Sequence, residues 1–139
     1  MSYHVLDTDI LTLFQAGEPA VVQRVRACPP DQLAITVITV EEQLTGWYTK
    51  VRRATKPDEL ARAYERLAIA VSILSRVHIL RFPESAISRY EELRKSHRRL
   101  GKNDLRIAAI VIENDSTLVT RNVRDFQQIA ELKIEDWSS

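Results

Sequence analysis

Along this chain, apolar runs too short to be helices alternate with segments whose apolar residues recur every three to four positions. The short runs, residues 3–6, 33–38, 77–82, 117–120 and 132–134, are rich in aliphatic and β-branched side chains, as buried strands are. Between them, Ile10, Leu11, Leu13 and Phe14 mark a helix that closes at Ala16-Gly17, and Pro19 opens a second that Cys28-Pro29-Pro30 stops. Thr39 begins a third, with Thr39-x-x-Glu42 fitting a capping box, and it runs past Leu44 and Trp47 towards Val51. After Pro57, Leu60, Tyr64, Leu67, Val71 and Leu74 form a continuous apolar stripe, read as intramolecular core with a dimer face as the alternative. Pro83-Glu84-Ser85 starts a helix that Gly101 terminates, residues 104–114 are apolar nearly all round, and residues 122–130 give a short last helix. The order β α α β α α β α α β α β makes every strand-to-strand connection long enough for a crossover. A three-layer α/β/α sandwich around a mostly parallel sheet of four to five strands is expected.

No Gly/Pro-rich linker interrupts this pattern, so residues 1–139 are expected to form a single domain, long enough to bury its own core. The lone Cys28 excludes an intrachain disulfide and a Cys-rich zinc site, which suits a reducing cytoplasm. No apolar run is long enough to span a bilayer, and the opening MSYHVLDTD has neither the basic nor the apolar region of a signal peptide, so no membrane association is expected. With 20 Lys+Arg against 19 Asp+Glu, the net charge of +1 does not by itself suggest a nucleic-acid binder.

In open parallel sheets, ligands bind beyond the carboxyl ends of the strands, and here those positions are acidic. Asp7 ends the first strand with Asp9 two residues on, Glu41 and Glu42 follow the second, Asp104 opens the buried helix, and Asp125 follows the fourth strand. Each acid alone can be a helix cap or a partner of the helix dipole. Glu42 is explained by a capping box with Thr39 and Asp125 by an Asn122-x-x-Asp125 cap, whereas Asp7 has no evident structural task. Should several converge, carboxylates about 4 Å apart repel by about 4 kcal/mol at an effective dielectric near 20. A divalent cation offsets that repulsion, and an all-oxygen donor set favours Mg²⁺ or Mn²⁺ over zinc.

Four ordered segments, VLDTDIL (5–11), ITVEEQLTG (38–46), KNDLRIAAIVIEND (102–115) and LVTRNVRDF (118–126), with the LKIEDW tail, give the chain an end-to-end resemblance to the PIN-domain ribonucleases of the VapC toxin type. The resemblance implies a PIN-like α/β/α fold and metal-dependent cleavage of RNA, tRNA or ribosomal RNA, by the toxin of a toxin-antitoxin pair. It places catalytic, metal-holding acids at Asp7, Glu42, Asp104 and Asp125, selecting Glu42 over Glu41 by alignment of the Thr-hydrophobic-x-Glu pattern. The position after Thr120-Arg121, acidic in many members, is Asn122 here, so Asp125 is taken as the acid, acting through water, with Asn122 as a neutral oxygen donor. Asp9 is held as a structural residue. Thr8 and Thr120 would hydrogen-bond the scissile phosphate. A homodimer and a cognate antitoxin, whose C-terminal segment occupies the acidic groove, are implied as partners.

Charge is unevenly placed. Residues 94–102 carry Arg94, Lys95, Arg98, Arg99 and Lys102 without an acid and lead directly to Asp104. Such runs are commonly solvated surface, but next to an acidic site Arg98, Arg99 and Lys102 are expected to grip phosphates. A second run, KVRRATK at 50–56, adds Lys50, Arg52, Arg53 and Lys56. The three histidines show no metal-ligand spacing, and Trp47 and Trp137 read as packing residues. Asp7-Thr8-Asp9 after a strand also fits a phosphohydrolase of the haloacid dehalogenase type, but the strand-end lysine and later acidic pair are missing. The serious alternative is a catalytically weak PIN-like domain that binds RNA or another partner, for which Asn122 in place of an acid is the main support.

Overall fold

A computed structural model describes residues 2–139. The strands are β1 (His4–Leu6), β2 (Leu33–Thr36), β3 (His78–Leu80), β4 (Thr117–Val119) and β5 (Lys133–Glu135). They form one sheet in the order β3-β2-β1-β4-β5, with every neighbouring pair parallel. The helices are α1 (Thr8–Gln15), α2 (Pro19–Ala27), α3 (Val37–Arg53), α4 (Pro57–Leu74), α5 (Glu84–Ser96), α6 (Lys102–Glu113) and α7 (Val123–Phe126), with a 3₁₀ turn at Pro30–Gln32. The expected parallel α/β/α sandwich is therefore what forms, with five strands.

Both faces of the sheet are buried, as parallel sheets require. Side chains alternate along each strand: Val5, Ala34 and Leu118 enter one core with α5 and α6, while Leu6, Ile35 and Val119 enter the other with α1 and α2. Helix α6 supplies Leu105, Ile107, Ala108, Ala109, Ile110 and Val111 to the interior, which accounts for its apolar character all round. The C-terminal Trp137, 3 % exposed, packs with the second core and donates to the Glu135 carboxylate at 3.0 Å.

Several local expectations are corrected. Helix α3 starts at Val37, not Thr39, because the Thr36 hydroxyl at the end of β2 accepts from the Thr39 amide at 3.2 Å; the cap overrides the β propensity of Val37 and Ile38. Thr39 is thus a buried residue of the first turn, and the Thr39–Glu42 capping box does not exist. Gly101 does not end α5, which stops at Ser96 with His97 at its cap; a turn anchored by buried Leu100 intervenes, and Gly101 is the N-cap position of α6. The last helix is shorter than expected. The α4 stripe is not mainly core: Leu60, Tyr64 (56 % exposed) and Val71 face solvent with Ile69, while Ala70 and Leu74 are buried.

Ile110→Ala, at a fully buried position of α6, is expected to lower unfolding free energy by about 2–5 kcal/mol. Ile69→Ala on the exposed face of α4 is expected to cost under about 1 kcal/mol. Urea denaturation of the two variants beside the wild type checks both.

Candidate functional site

The strand order places β1 between β2 and β4, and the direction in which the chain is laid down reverses around it. A crevice opens at the carboxyl ends of strands flanking such a switch point. Asp7 is the first residue beyond β1, at its floor. Only 7 % exposed, it has a structural task the sequence did not reveal: its Oδ1 accepts from the Ile10 amide at 2.9 Å and caps α1. Burial pushes its pKa up from 3.8 to about 6, against the lowering effects of the Thr120 hydroxyl and the Ile10 amide; Asp9 and Asp104 add to the rise.

The other side chains arrive from separate elements. Glu42, on the second turn of α3, is not a cap: its Oε1 accepts from the Thr8 hydroxyl at 2.6 Å and its Oε2 from Asn103 Nδ2 at 3.3 Å. Thr8 Oγ1 also lies 3.1 Å from Thr39 Oγ1. Asn103 is oriented in turn by Arg106, whose Nη1 donates to its Oδ1 at 2.9 Å, and the Arg106 guanidinium packs 5.2 Å from the Tyr90 ring centre. Asp104 stands in the first turn of α6 with its pKa raised by burial first, then by the charges of Glu42, Asp125 and Asp9. Asn122 does not cap α7 through its side chain; it donates from Nδ2 to Asp125 Oδ2 at 3.1 Å.

Asp7, Thr8, Asp9, Glu42, Asp104 and Asn122, with Ile107 and Phe126 as apolar wall, line one cleft of 230 Å³. Asp125 borders it through Asn122. Asp9 pairs with Arg121 at 3.7 Å on the exposed rim. Thr120, expected at a scissile phosphate, is instead fully buried, its hydroxyl accepting from the Asn122 amide at 3.0 Å. Arg98 and Lys102 line a separate 630 Å³ recess with Arg94 and Lys95, between the end of α5 and the start of α6, whereas Arg99 is exposed and lines neither. Sequence reasoning missed Thr39, Asn103 and Arg106. Asn103 had a signal, since it precedes Asp104 in the same first turn, and Arg106 stands three residues from Asn103 on the same helix; Thr39 meets Thr8 only through tertiary packing.

Among the described residues no three His, Cys, Asp or Glu side chains stand as a ready-made cage for an ion. The cleft still suits a hard, hydrated cation. Its donors are all oxygen, and burial and mutual repulsion raise the pKa of both Asp7 and Asp104, a charge excess that a cation relieves. Mg²⁺ keeps several of its waters and needs only one or two carboxylates directly.

A family model described as PIN domain matches residues 4–132, and the chain belongs to that family. Its relatives include VapC proteins. Ribonuclease VapC1 of Haemophilus influenzae (strain R2866) is 30 % identical over 142 residues, covering 97 % of this chain and 98 % of the relative. The tRNA(fMet)-specific endonuclease VapC of Shigella flexneri is 25 % identical over 138 residues, covering 96 % and 97 %. The solved structure of VapBC-1 from nontypeable Haemophilus influenzae superposes with a TM-score of 0.75 at 27 % identity, covering 100 % of both chains.

Because Asp7 binds a proton more tightly folded than unfolded, its contribution to stability is complete below about pH 4 and is lost as pH rises through about 6. Asp7→Asn keeps a competent cap and removes the buried charge. In EDTA it is expected to be more stable than wild type by about 1–3 kcal/mol at pH 7. The difference should vanish near pH 4, as followed by urea denaturation across that range.

Proposed function

We propose that this protein is an endoribonuclease that hydrolyses RNA phosphodiester bonds with Mg²⁺ or Mn²⁺ held by Asp7, Glu42 and Asp104, with Asp125 acting through Asn122. The observation that carries this reading is the meeting of carboxylates from β1, α3 and α6 in one cleft beyond the strand ends, in a chain whose VapC relatives are named as ribonucleases. Each side chain has a distinct part. Asp7 is held at one oxygen by the α1 amide, and the Thr120 hydroxyl also acts on its carboxylate. Glu42 is oriented by Thr8 and Asn103. Asp104, in the same cleft, orients a water and takes its proton. The water oxygen bonds to phosphorus, the bond from phosphorus to one ribose oxygen breaks, and that oxygen takes up a proton from solvent. A bound divalent cation supplies the positive charge that acidifies the water and offsets charge on the phosphate. Arg98 and Lys102, in the neighbouring recess, contact flanking phosphates.

The Haemophilus VapBC-1 structure supports a cognate antitoxin as partner, its C-terminal segment covering the acidic groove. The Shigella relative's name supports tRNA as the target, with ribosomal RNA the other candidate. The exposed Leu60, Tyr64 and Val71 of α4 supply a face for a homodimer. Among the described residues no helix is long and apolar enough to cross a membrane, and the lone thiol suits a cytoplasmic site of action.

Purified protein incubated with total RNA and Mg²⁺ or Mn²⁺ is expected to yield a few discrete cuts and none with excess chelator. Asp104→Asn should reduce cleavage at least about a hundredfold with its thermal melt retained; undiminished cleavage would overturn the assignment. The Asn122–Asp125 hydrogen bond favours the second reading, an RNA-binding module, which predicts RNA binding without cuts by the wild type. Tyr64→Glu is expected to shift the protein to monomer in light scattering while preserving its melt.

A further inference from the structure

The second basic run, at residues 50–56, found no use in the acidic cleft, and the fold shows where part of it goes. Thr8 and Glu42 line both the cleft and an adjoining 310 Å³ recess between α1 and α3. Trp47, Lys50 and Arg66 line that recess and also the next, 340 Å³ in volume, between α3 and α4. The three spaces adjoin through shared residues. They follow one face of α3, through Glu42, Gly46, Lys50 and Arg53, steps of four, four and three residues that keep to a single stripe. This stripe is about 16 Å long at about 1.5 Å per residue, room for about five nucleotides at the stacked spacing of about 3.4 Å.

The walls carry the chemistry of a single-strand track. Trp47 is half-buried, and Lys50 Nζ rests 4.5 Å from the centre of its indole ring. Among the described residues, Lys50, Arg53 and Arg66 have no carboxylate within ion-pair distance, while Arg62 is paired with Asp58 at 3.8 Å. Unpaired cations along a groove that holds one aromatic ring are what single-stranded nucleic acids bind, phosphates on the cations and a base on the ring.

Two further observations fall in the same recess. Gln43, 7 % exposed, donates from Nε2 to Thr12 Oγ1 at 2.9 Å, leaving its Oε1 without a partner, and Gln15 Nε2 is likewise unpartnered. The Gln43 amide is oriented by Thr12, whose hydroxyl is itself committed as donor to the Thr8 carbonyl. Both residues line this recess, and an open acceptor and an open donor there call for a polar ligand; a nucleobase edge or a ribose hydroxyl offers the matching groups. Gly46 lies inside α3 although glycine destabilises helix interiors, and a side chain there would meet nothing within 4 Å. Internal packing does not require it, and the missing side chain leaves the helix backbone open to a ligand.

We infer that the groove along α3 from Glu42 to Arg53 is the track for the RNA strand on one side of the scissile phosphate. Trp47 stacks a base, Lys50, Arg53 and Arg66 hold phosphates, and Gln15 and Gln43 read the polar edge of the nucleotide next to the cleft. This rests on the endoribonuclease reading, and two measurements keep the two claims separable.

In the first, a fluorophore-labelled, mixed-sequence single-stranded RNA dodecamer is titrated with full-length protein in EDTA. Wild type is expected to bind with quenching of Trp47 emission over the constant signal of buried Trp137. Trp47→Ala and the double variant Lys50→Ala/Arg66→Ala should each lose about tenfold or more in affinity. The double variant's salt slope should fall by about 0.7 for each phosphate it no longer neutralises. Trp47→Phe should retain most of the affinity, and Gly46→Val should weaken binding with no loss of thermal stability. In the second, the same variants cleave the dodecamer with Mn²⁺ with KM raised about tenfold or more, a larger change than any in kcat. Wild-type affinity in well-folded Trp47→Ala and Lys50→Ala/Arg66→Ala overturns the track, as does a change of oligomeric state in those variants with binding intact. Absence of RNA cleavage by the wild type overturns the nuclease reading alone, since the binding measurement still decides the groove.

Discussion

The position of β1 governs the rest of the structure. It is hydrogen-bonded on both sides, to β2 and β4, and covered on both faces, through Val5 on one and Leu6 on the other. A strand so enclosed can change direction only at its end, and the first residue beyond it is Asp7. One carboxylate oxygen closes onto the Ile10 amide and starts α1, so the group that begins the first helix also brings a charge to the floor of the crevice. Burial raises its pKa to about 6, which means the fold carries a destabilising acid at neutral pH unless something positive comes to it. Sites that strain their own host in this way are commonly functional.

The remaining carboxylates are placed by different forces. Glu42 is held by hydroxyl and amide donors, Thr8 and Asn103, and not by cations. Asp125 is likewise met by an amide, Asn122. Neutral donors orient a carboxylate without discharging it, so the cleft keeps its negative potential. The cations lie outside it, some at the α5–α6 junction and others along α3 and α4. A net charge of +1 is thus the sum of an acidic centre and basic flanks, a field negative in the middle and positive at the edges. Surface lysines and arginines spread evenly would give the same total and no such field.

Much of the fold was legible because the signals were strong and local. Alternation of strand and helix periodicity, prolines at Pro19, Pro57 and Pro83, and connections too long for hairpins left a parallel sheet as the economical solution. The errors fall where a local signal had a tertiary competitor. Val37 and Ile38 look like strand until the Thr36 hydroxyl caps a helix ahead of them. Gly101 looks like a helix end until buried Leu100 fixes the turn before it. The α4 stripe has core spacing, yet the helix packs mainly on α3 and leaves Tyr64 and Val71 in solvent. Among candidate site residues, the acids stood out by their positions after strand ends. Thr39 did not, because its hydroxyl meets Thr8 only once the fold brings α1 and α3 together.

By itself the sequence determined which segments are strands and helices, that the sheet is parallel, and that acids cluster after strand ends, since periodicity, proline and chain length act through neighbours close in sequence. Only the tertiary structure decided that Asp7, Glu42 and Asp104 share one cleft, that Thr120 lies beneath it, that Glu42 answers to Thr8 and Asn103 and not to Thr39, and that Lys50 and Arg66 meet beside Trp47. The physical reason is range. Capping and amphipathicity are settled within a few residues, but the repulsion between carboxylates tens of residues apart, and the groove between α3 and α4, exist only once sheet packing has brought those segments together.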